Sequence, residues 1–263
     1  MTLQLLPRAP YSAHDPAHTG SIGVALERQT GVHSIGSDRR EPFDRWPGTL
    51  AVTPPGIDIF SESPTGGEYV VLRCATAIEA TGGDGGGHHE RTRICVSGAR
   101  AAFTLAREIR RALLAPTLDE TSIEDMAWRL AALGAASAHD APLHAGRRAH
   151  VARDDARLYA GALERIADAF AQPLALEELA AMTSQSPLAF LRGFTAAVGL
   201  TPHAFLTERR LQAARHLLAD PDRPLTDIAL ACGFSHQSHF GNAFKRAFGL
   251  TPAQYRRLRQ GLA

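Results

Sequence analysis

A repeat near the C-terminus constrains this chain more than any other feature. Gly199-Leu200-Thr201-Pro202 returns as Gly249-Leu250-Thr251-Pro252, an offset of 50 residues. Phe190 and Phe194 match Phe240 and Phe244 at the same offset, whereas Leu179-Ala180 matches Ile228-Ala229 at 49. The second copy has therefore gained one residue in its turn. A recurring short motif of this kind marks a duplicated supersecondary unit. In each copy a Gly ends one helix, a Thr caps the next, and a Pro takes its first position.

The two copies read as helix-turn-helix units. In copy one, residues 174–182 support and residues 186–198 form the second helix, with Ser186-Pro187 as cap and first residue. In copy two, residues 225–232 support, Gly233 makes the turn, and Ser235 caps a helix ending at Phe248. Residues 202–219 read as one connecting helix of about 27 Å. That length suits two reading helices held roughly 34 Å, one DNA turn, apart. In the last reading helix Phe240, Ala243, Phe244, Ala247 and Phe248 make the inward stripe. The other side carries Gln237, Ser238, Asn242, Lys245 and Arg246. Gln and Asn can hold adenine by two hydrogen bonds, while Lys and Arg reach guanine or phosphate. Each polar residue alone would read as an ordinary solvated helix face; the repeat turns the balance toward DNA.

Charge supports this only when divided by region. The net charge is +1 overall. Residues 186–263 hold 10 basic and 4 acidic residues, and residues 1–152 hold 15 and 17. A basic end on a nearly neutral chain is the footprint expected of nucleic-acid contact.

The first half reads as short strands at residues 21–27, 32–35, 49–53, 68–75 and 93–96, bounded by Gly, Pro and Asp, which predicts a small antiparallel barrel or sandwich. Glycines at 82–87 read as a hairpin loop; no Gly-Lys-Ser/Thr follows to make a phosphate cradle. Two helices follow, at 101–114 and at 122–133, the second capped by Ser122 with Asp125 three residues on. Residues 135–153 lack a period and read as the linker. Residues 157–170 resume as a helix with Leu158, Ala162, Leu163, Ile166 and Phe170 inward. The fold class is thus α+β: an antiparallel barrel-like half with helices, then an all-α half of two helix-turn-helix units. The expected domains are 1–137, a linker 138–153, and 154–263. No apolar run approaches the roughly 18 residues of a membrane span, and the first ten residues show no secretory pattern. Three cysteines, Cys74, Cys95 and Cys232, are too few for a disulfide framework and fit a reducing cytoplasm.

Residues 174–258 resemble the DNA-binding domain of AraC/XylS-type bacterial transcription regulators. The carrying motifs are Arg210-Leu211-x-x-Ala214-x-x-Leu217-Leu218 and Ile228-Ala229-x-x-Cys232-Gly233-Phe234. They continue with Ser238-His239-Phe240-x-x-x-Phe244-Lys245-x-x-Phe248-Gly249 and Thr251-Pro252-x-x-Tyr255-Arg256. The resemblance implies two helices lying in the major groove of double-stranded DNA. The implied base-reading positions are Leu188, Leu191 and Arg192 in copy one, and Gln237, Ser238 and Asn242 in copy two. Lys245, Arg246 and Arg256 are the phosphate candidates. RNA polymerase, a small-molecule effector and a second copy of the chain are the further implied partners. Copy one departs from the pattern: Ser184 stands where the turn usually has Gly, and Gln185 where an apolar residue is usual. Leu188 and Leu191 can touch a thymine methyl but donate no hydrogen bond.

The first half resembles, on thinner support, the cupin-like sensor domains that precede such units, through Pro47-Gly48-Thr49-Leu50-x-Val52-x-Pro54-Pro55-Gly56. No His follows that turn, which counts against a bound metal and against a cupin enzyme, so no cofactor is expected. His88-His89-Glu90 is a weak metal candidate, and Cys74 with Cys95 a weak redox pair, each against a plainer reading as surface or core residues. The competing functions are an enzyme domain fused to a DNA-binding unit, and a DNA-binding protein that senses nothing and only dimerises. The stripe Ile123, Met126, Ala127, Leu130 and Leu133 reads equally as a homodimer surface or as an ordinary intrachain helix.

Overall fold

The computed structural model describes residues 1–74, 93–144 and 158–261. Its contacts divide the chain into two units. One comprises Met1–Arg110 with Asp119–Arg153, the other Arg111–Leu118 with Asp154–Ala263.

In the first unit, alternating sequence makes nine described strands: β1 (Thr2–Leu6), β2 (Tyr11–Asp15), β3 (Gly20–Ala25), β4 (Gln29–Ile35), β5 (Glu41–Arg45), β6 (Leu50–Thr53), β7 (Ile59–Ser63), β8 (Tyr69–Cys74) and β9 (Ile94–Val96). They pair antiparallel in two sheets, β1-β8-β3-β6-β9 and β2-β7-β4-β5. The antiparallel architecture matches expectation, but the two sheets do not close into one barrel. The sequence reading also missed β1, β2, β5 and β7, whose polar residues hide their alternation. The pleat gives the five-stranded sheet two different faces. Ile22 pairs with Leu72 and Val52, and Val24 with Val70 and Leu50, so these apolar side chains share one face. Helix α2 (Glu120–His144) packs on it, so closely that a Cβ on Gly134 would meet Ile22 at 2.4 Å. Helix α1 (Arg100–Leu113) buries Phe103, Leu105, Ala106 and Ile109. It is tied to the sheet by the fully buried pair Arg110–Glu68, 3.0 Å.

Several expectations are corrected here. Helix α2 continues through residues 135–144, which read as linker; alanine at 135, 136, 138 and 141 sustains a helix without an amphipathic period. Asp119, not Ser122, caps it: its carboxylate accepts from the Ser122 N–H at 3.4 Å and from the Ser122 hydroxyl. Those bonds hold Asp119 below the usual carboxylate range. Of the stripe that read equally as a homodimer surface or an intrachain helix, Met126, Ala127 and Leu130 are buried within the chain and Ile123 and Leu133 are half-buried, which favours the intrachain helix. Cys74 and Cys95 are both free. They lie on opposite faces of the sheet, Cys74 in register with Gly20 and Cys95 with Ala51, and cannot act as a pair. The glycine loop, His88-His89-Glu90 and residues 145–153 lie outside the described residues. No described helix is long and apolar enough to cross a membrane.

The second unit contains helices α3 (Ala160–Asp168), α4 (Leu176–Ala181), α5 (Pro187–Val198), α6 (Pro202–Leu217), α7 (Leu225–Ala231), α8 (Gln237–Phe248) and α9 (Pro252–Gly261). Helix α6, about 24 Å long, packs against α3 and α5 of copy one and against α7 and α8 of copy two. The rings of Phe190 and Phe194 on one side, and of Phe240, Phe244 and Phe248 on the other, are fully buried. Leu158, expected inward, is exposed because α3 begins only after it.

Candidate nucleic-acid interface

Both second helices are cut to the same pattern. Ser186 caps α5, its hydroxyl accepting from Ala189 N–H at 3.3 Å, and Gly199 ends it at φ 79°. Helix α8 ends at Gly249 with φ 78°. Thr201 and Thr251 then cap α6 and α9 through their hydroxyls, at 3.2 and 3.3 Å. The cap of α8 differs from expectation: His236 takes the place assigned to Ser235, its Nδ1 accepting from the His239 N–H at 3.1 Å. Ser235 is thus the residue gained in the second turn. The acceptor role of Nδ1 leaves the His236 proton on Nε2, a donor at the exposed start of α8 that sequence reading missed.

The irregular turn of copy one is compensated rather than defective. Ser184 adopts φ 54°, the one positive-φ residue other than glycine among those described; its counterpart Gly233 has φ 79°. A Cβ on Gly233 would meet the Ala171 carbonyl oxygen at 2.7 Å, so that turn requires glycine for space as well. Next in copy two comes Phe234, whose ring packs on Phe240 at 5.3 Å. Copy one has Gln185 there, and Tyr159 supplies the ring, edge-on to Phe190 at 5.5 Å and to Phe194 at 5.7 Å. The Tyr159 hydroxyl donates to Gln185 Oε1 at 3.1 Å, and Thr183 donates to the same oxygen at 3.2 Å. Gly193 makes the room: a Cβ there would sit 2.0 Å from the Tyr159 oxygen. At the matching place copy two carries Ala243.

The candidate readers sit on α5 and α8. Leu188 and Arg192 are exposed on α5, and Leu191 is half-buried. Gln237, Ser238, Asn242, Lys245 and Arg246 are exposed on α8. Gln237 is already oriented, since its Oε1 accepts from the Thr226 hydroxyl at 2.8 Å and its NH2 group remains to donate outward. The cations divide into two kinds. Arg256 donates to the carbonyls of Pro221 at 3.0 Å and Arg223 at 2.7 Å, so it clamps the loop before α7 instead of facing outward. Arg210 donates to the carbonyls of Phe170 at 2.8 Å and Gln172 at 3.2 Å. Arg215 stacks over Phe248 at 4.9 Å and donates to the Tyr255 hydroxyl at 3.1 Å. Arg192, Lys245, Arg246, Arg257 and Arg259 stay exposed. Copy two thus carries two cations on its reading helix, whereas copy one has Thr195 and Ala196 at those places and keeps Arg192.

A family model described as a helix-turn-helix domain matches residues 179–258. The HTH-type transcriptional activator RhaS of Klebsiella pneumoniae (strain 342) is 43% identical over 108 residues, 41% of this chain and 37% of the relative. The HTH-type transcriptional regulator MtrA of Neisseria gonorrhoeae is 38% identical over 82 residues, 31% of this chain and 27% of the relative. The chain thus spans about a third of the length of these curated relatives. A probable AraC family transcriptional regulator from Rhodopseudomonas palustris CGA009, known by crystal structure, is 31% identical. That match covers 39% of this chain and 97% of that one, with a TM-score of 0.37. Over residues 179–258 the C-terminal unit is similar to the helix-turn-helix domains of these transcription regulators.

Proposed function

We propose that this chain regulates transcription in the cytoplasm by binding double-stranded DNA with α5 and α8 side by side in the major groove. The supporting observation is the pair of equivalently capped helices packed on the single helix α6, each with its N-terminal half exposed. Base reading falls to Gln237, Ser238 and Asn242 in copy two. In copy one it falls to Arg192, with Leu188 and Leu191 offered to thymine methyls. Lys245 and Arg246 hold phosphates, joined by Arg257 and Arg259 in place of Arg256. The DNA-binding domain begins at Asp154, and the preceding unit senses a small effector and brings two copies of the chain together. RNA polymerase is the partner through which bound DNA is expressed or silenced.

Genome-wide mapping of DNA bound by the full chain tests this. The expected result is a set of sites sharing one sequence with two elements about ten base pairs apart. Bound sites with no shared sequence would contradict it.

A further inference from the structure

The apolar face of the five-stranded sheet is turned to α2, which leaves its other face toward the four-stranded sheet. Arg73 on β8 bridges the gap, its Nε donating to Asp15 on β2 at 2.9 Å. Besides the buried Ala25, Ala51 and Val71, this face carries a set of polar side chains. Tyr69 enters from β8, and Gly23 leaves room for its hydroxyl, which a Cβ would meet at 2.0 Å. Arg45 on β5 lies in register with Gln29 on β4, and His33 is two pairs further along the same face. Arg45 is only 8% exposed, donates to His33 Nδ1 at 3.1 Å, and lies over the Phe43 ring at 4.3 Å. Arg93, just before β9, is close enough to act on Arg45, His33 and Tyr69 alike. Burial, and then the like charge of Arg93, hold the Arg45 guanidinium below its usual range.

Two guanidiniums converge here with no carboxylate bound to either among the described residues; Asp15 is taken by Arg73, and Glu41 acts on His33. Two polar atoms of the same gap are also unsatisfied. Thr53 is 2% exposed and its hydroxyl has no hydrogen-bond partner, nor has the buried Arg93 Nε. Thr53 is in register with Ser21, on the face of Gly23 and Tyr69. Buried like charges and orphaned donors are costly in a closed core and useful where a counter-charge arrives from outside.

Resting on the reading of this unit as a sensor, we propose that the space between the two sheets is the effector site and that the effector is a small organic carboxylate. Arg45 and Arg93 clamp the carboxylate, Tyr69 and Thr53 offer hydroxyls to it, and the stacked pair of Phe43 and His33, 5.3 Å apart, forms a wall for its body.

The test is thermal unfolding of the full chain followed by tryptophan fluorescence, since Trp46 and Trp128 both lie in the first unit. Benzoate, malate and citrate are compared with benzamide, glucose and putrescine at equal ionic strength. A carboxylate is expected to raise the midpoint by about 5–10 °C near a hundredfold excess over Kd. Arg45→Gln and Arg93→Gln should each weaken that carboxylate about tenfold or more. Should Arg45→Gln unfold the unit, Arg93→Gln decides alone. Stabilisation by glucose or putrescine that survives both substitutions would overturn the anion assignment and leave the sensor reading standing. No shift with any of the six compounds would overturn both, while DNA binding, measured in parallel, stays intact.

Discussion

The exchange of Phe234 for Tyr159 between the two copies makes a sharp energetic prediction. Gly193→Ala places a methyl 2.0 Å from the Tyr159 oxygen and 3.0 Å from its ring carbon Cζ. Tyr159 is buried between Phe190 and Phe194 and cannot swing aside. Overpacking of this kind costs about 1–3 kcal/mol, set against about 1 kcal/mol gained by Ala over Gly inside a helix. Tyr159→Phe removes one hydrogen bond, worth about 0.5–1.5 kcal/mol, while Thr183 still donates to Gln185. In the double variant the 2.0 Å clash is gone. The pair should therefore cost at least about 1 kcal/mol less than the sum of the single changes. Urea unfolding of the full chain read by circular dichroism at 222 nm reports the helical unit, which has no tryptophan. Additive effects in this cycle would refute the claim that Gly193 exists to seat Tyr159.

Three further outcomes follow from the geometry. Arg256→Ala removes both clamps on the Pro221 and Arg223 carbonyls, so it should lower stability by about 1–3 kcal/mol in the same urea assay and leave the salt dependence of DNA binding unchanged. Met126→Glu buries a carboxylate in the core of the first unit, so tryptophan fluorescence should show that unit unfolded instead of an intact monomer. His33 is pushed down to about 4, by burial first and Arg45 next. The unfolded chain therefore binds the extra proton between pH 6.5 and 4. The stability from neutral His33 is complete above about pH 6.5 and drains as pH falls toward 4; His33→Gln should flatten that fall in a fluorescence melt series.

The duplicated half was legible because its signals are local. Caps, Gly stops and the phenylalanine stripe sit at fixed spacings, and the structure puts Thr201, Gly199, Phe190 and their partners where those spacings say. Cap identity failed at Ser235 because Ser is the better cap in isolation, while the extra residue shifts the helix start and hands the role to His236. Arg256 looked like a phosphate contact because an arginine's donors can be spent on carbonyls thirty residues away, which no spacing shows. In the first half, pleat alternation defines two faces for β3, β6 and β8 but not which of them meets the other sheet. Ile22, Val24, Leu50 and Leu72 face a helix, and the polar set of Arg45, Tyr69, Thr53 and Arg93 faces the other sheet. Tyr159 could not be matched to Phe234 either, since the ring enters from a different helix.

The central claim is that α8 reads bases with its start and holds phosphate with its end. Binding-site selection with the full chain and its variants tests this most directly, with affinities measured across a salt series. Gln237→Ala and Asn242→Ala should each cost about 1–3 kcal/mol on the preferred site and relax the choice at one base pair. Arg246→Ala should keep the selected sequence and lower the salt slope by about one ion. Altered base choice in Arg246→Ala, with Gln237→Ala and Asn242→Ala selecting the parent sequence, would contradict the account.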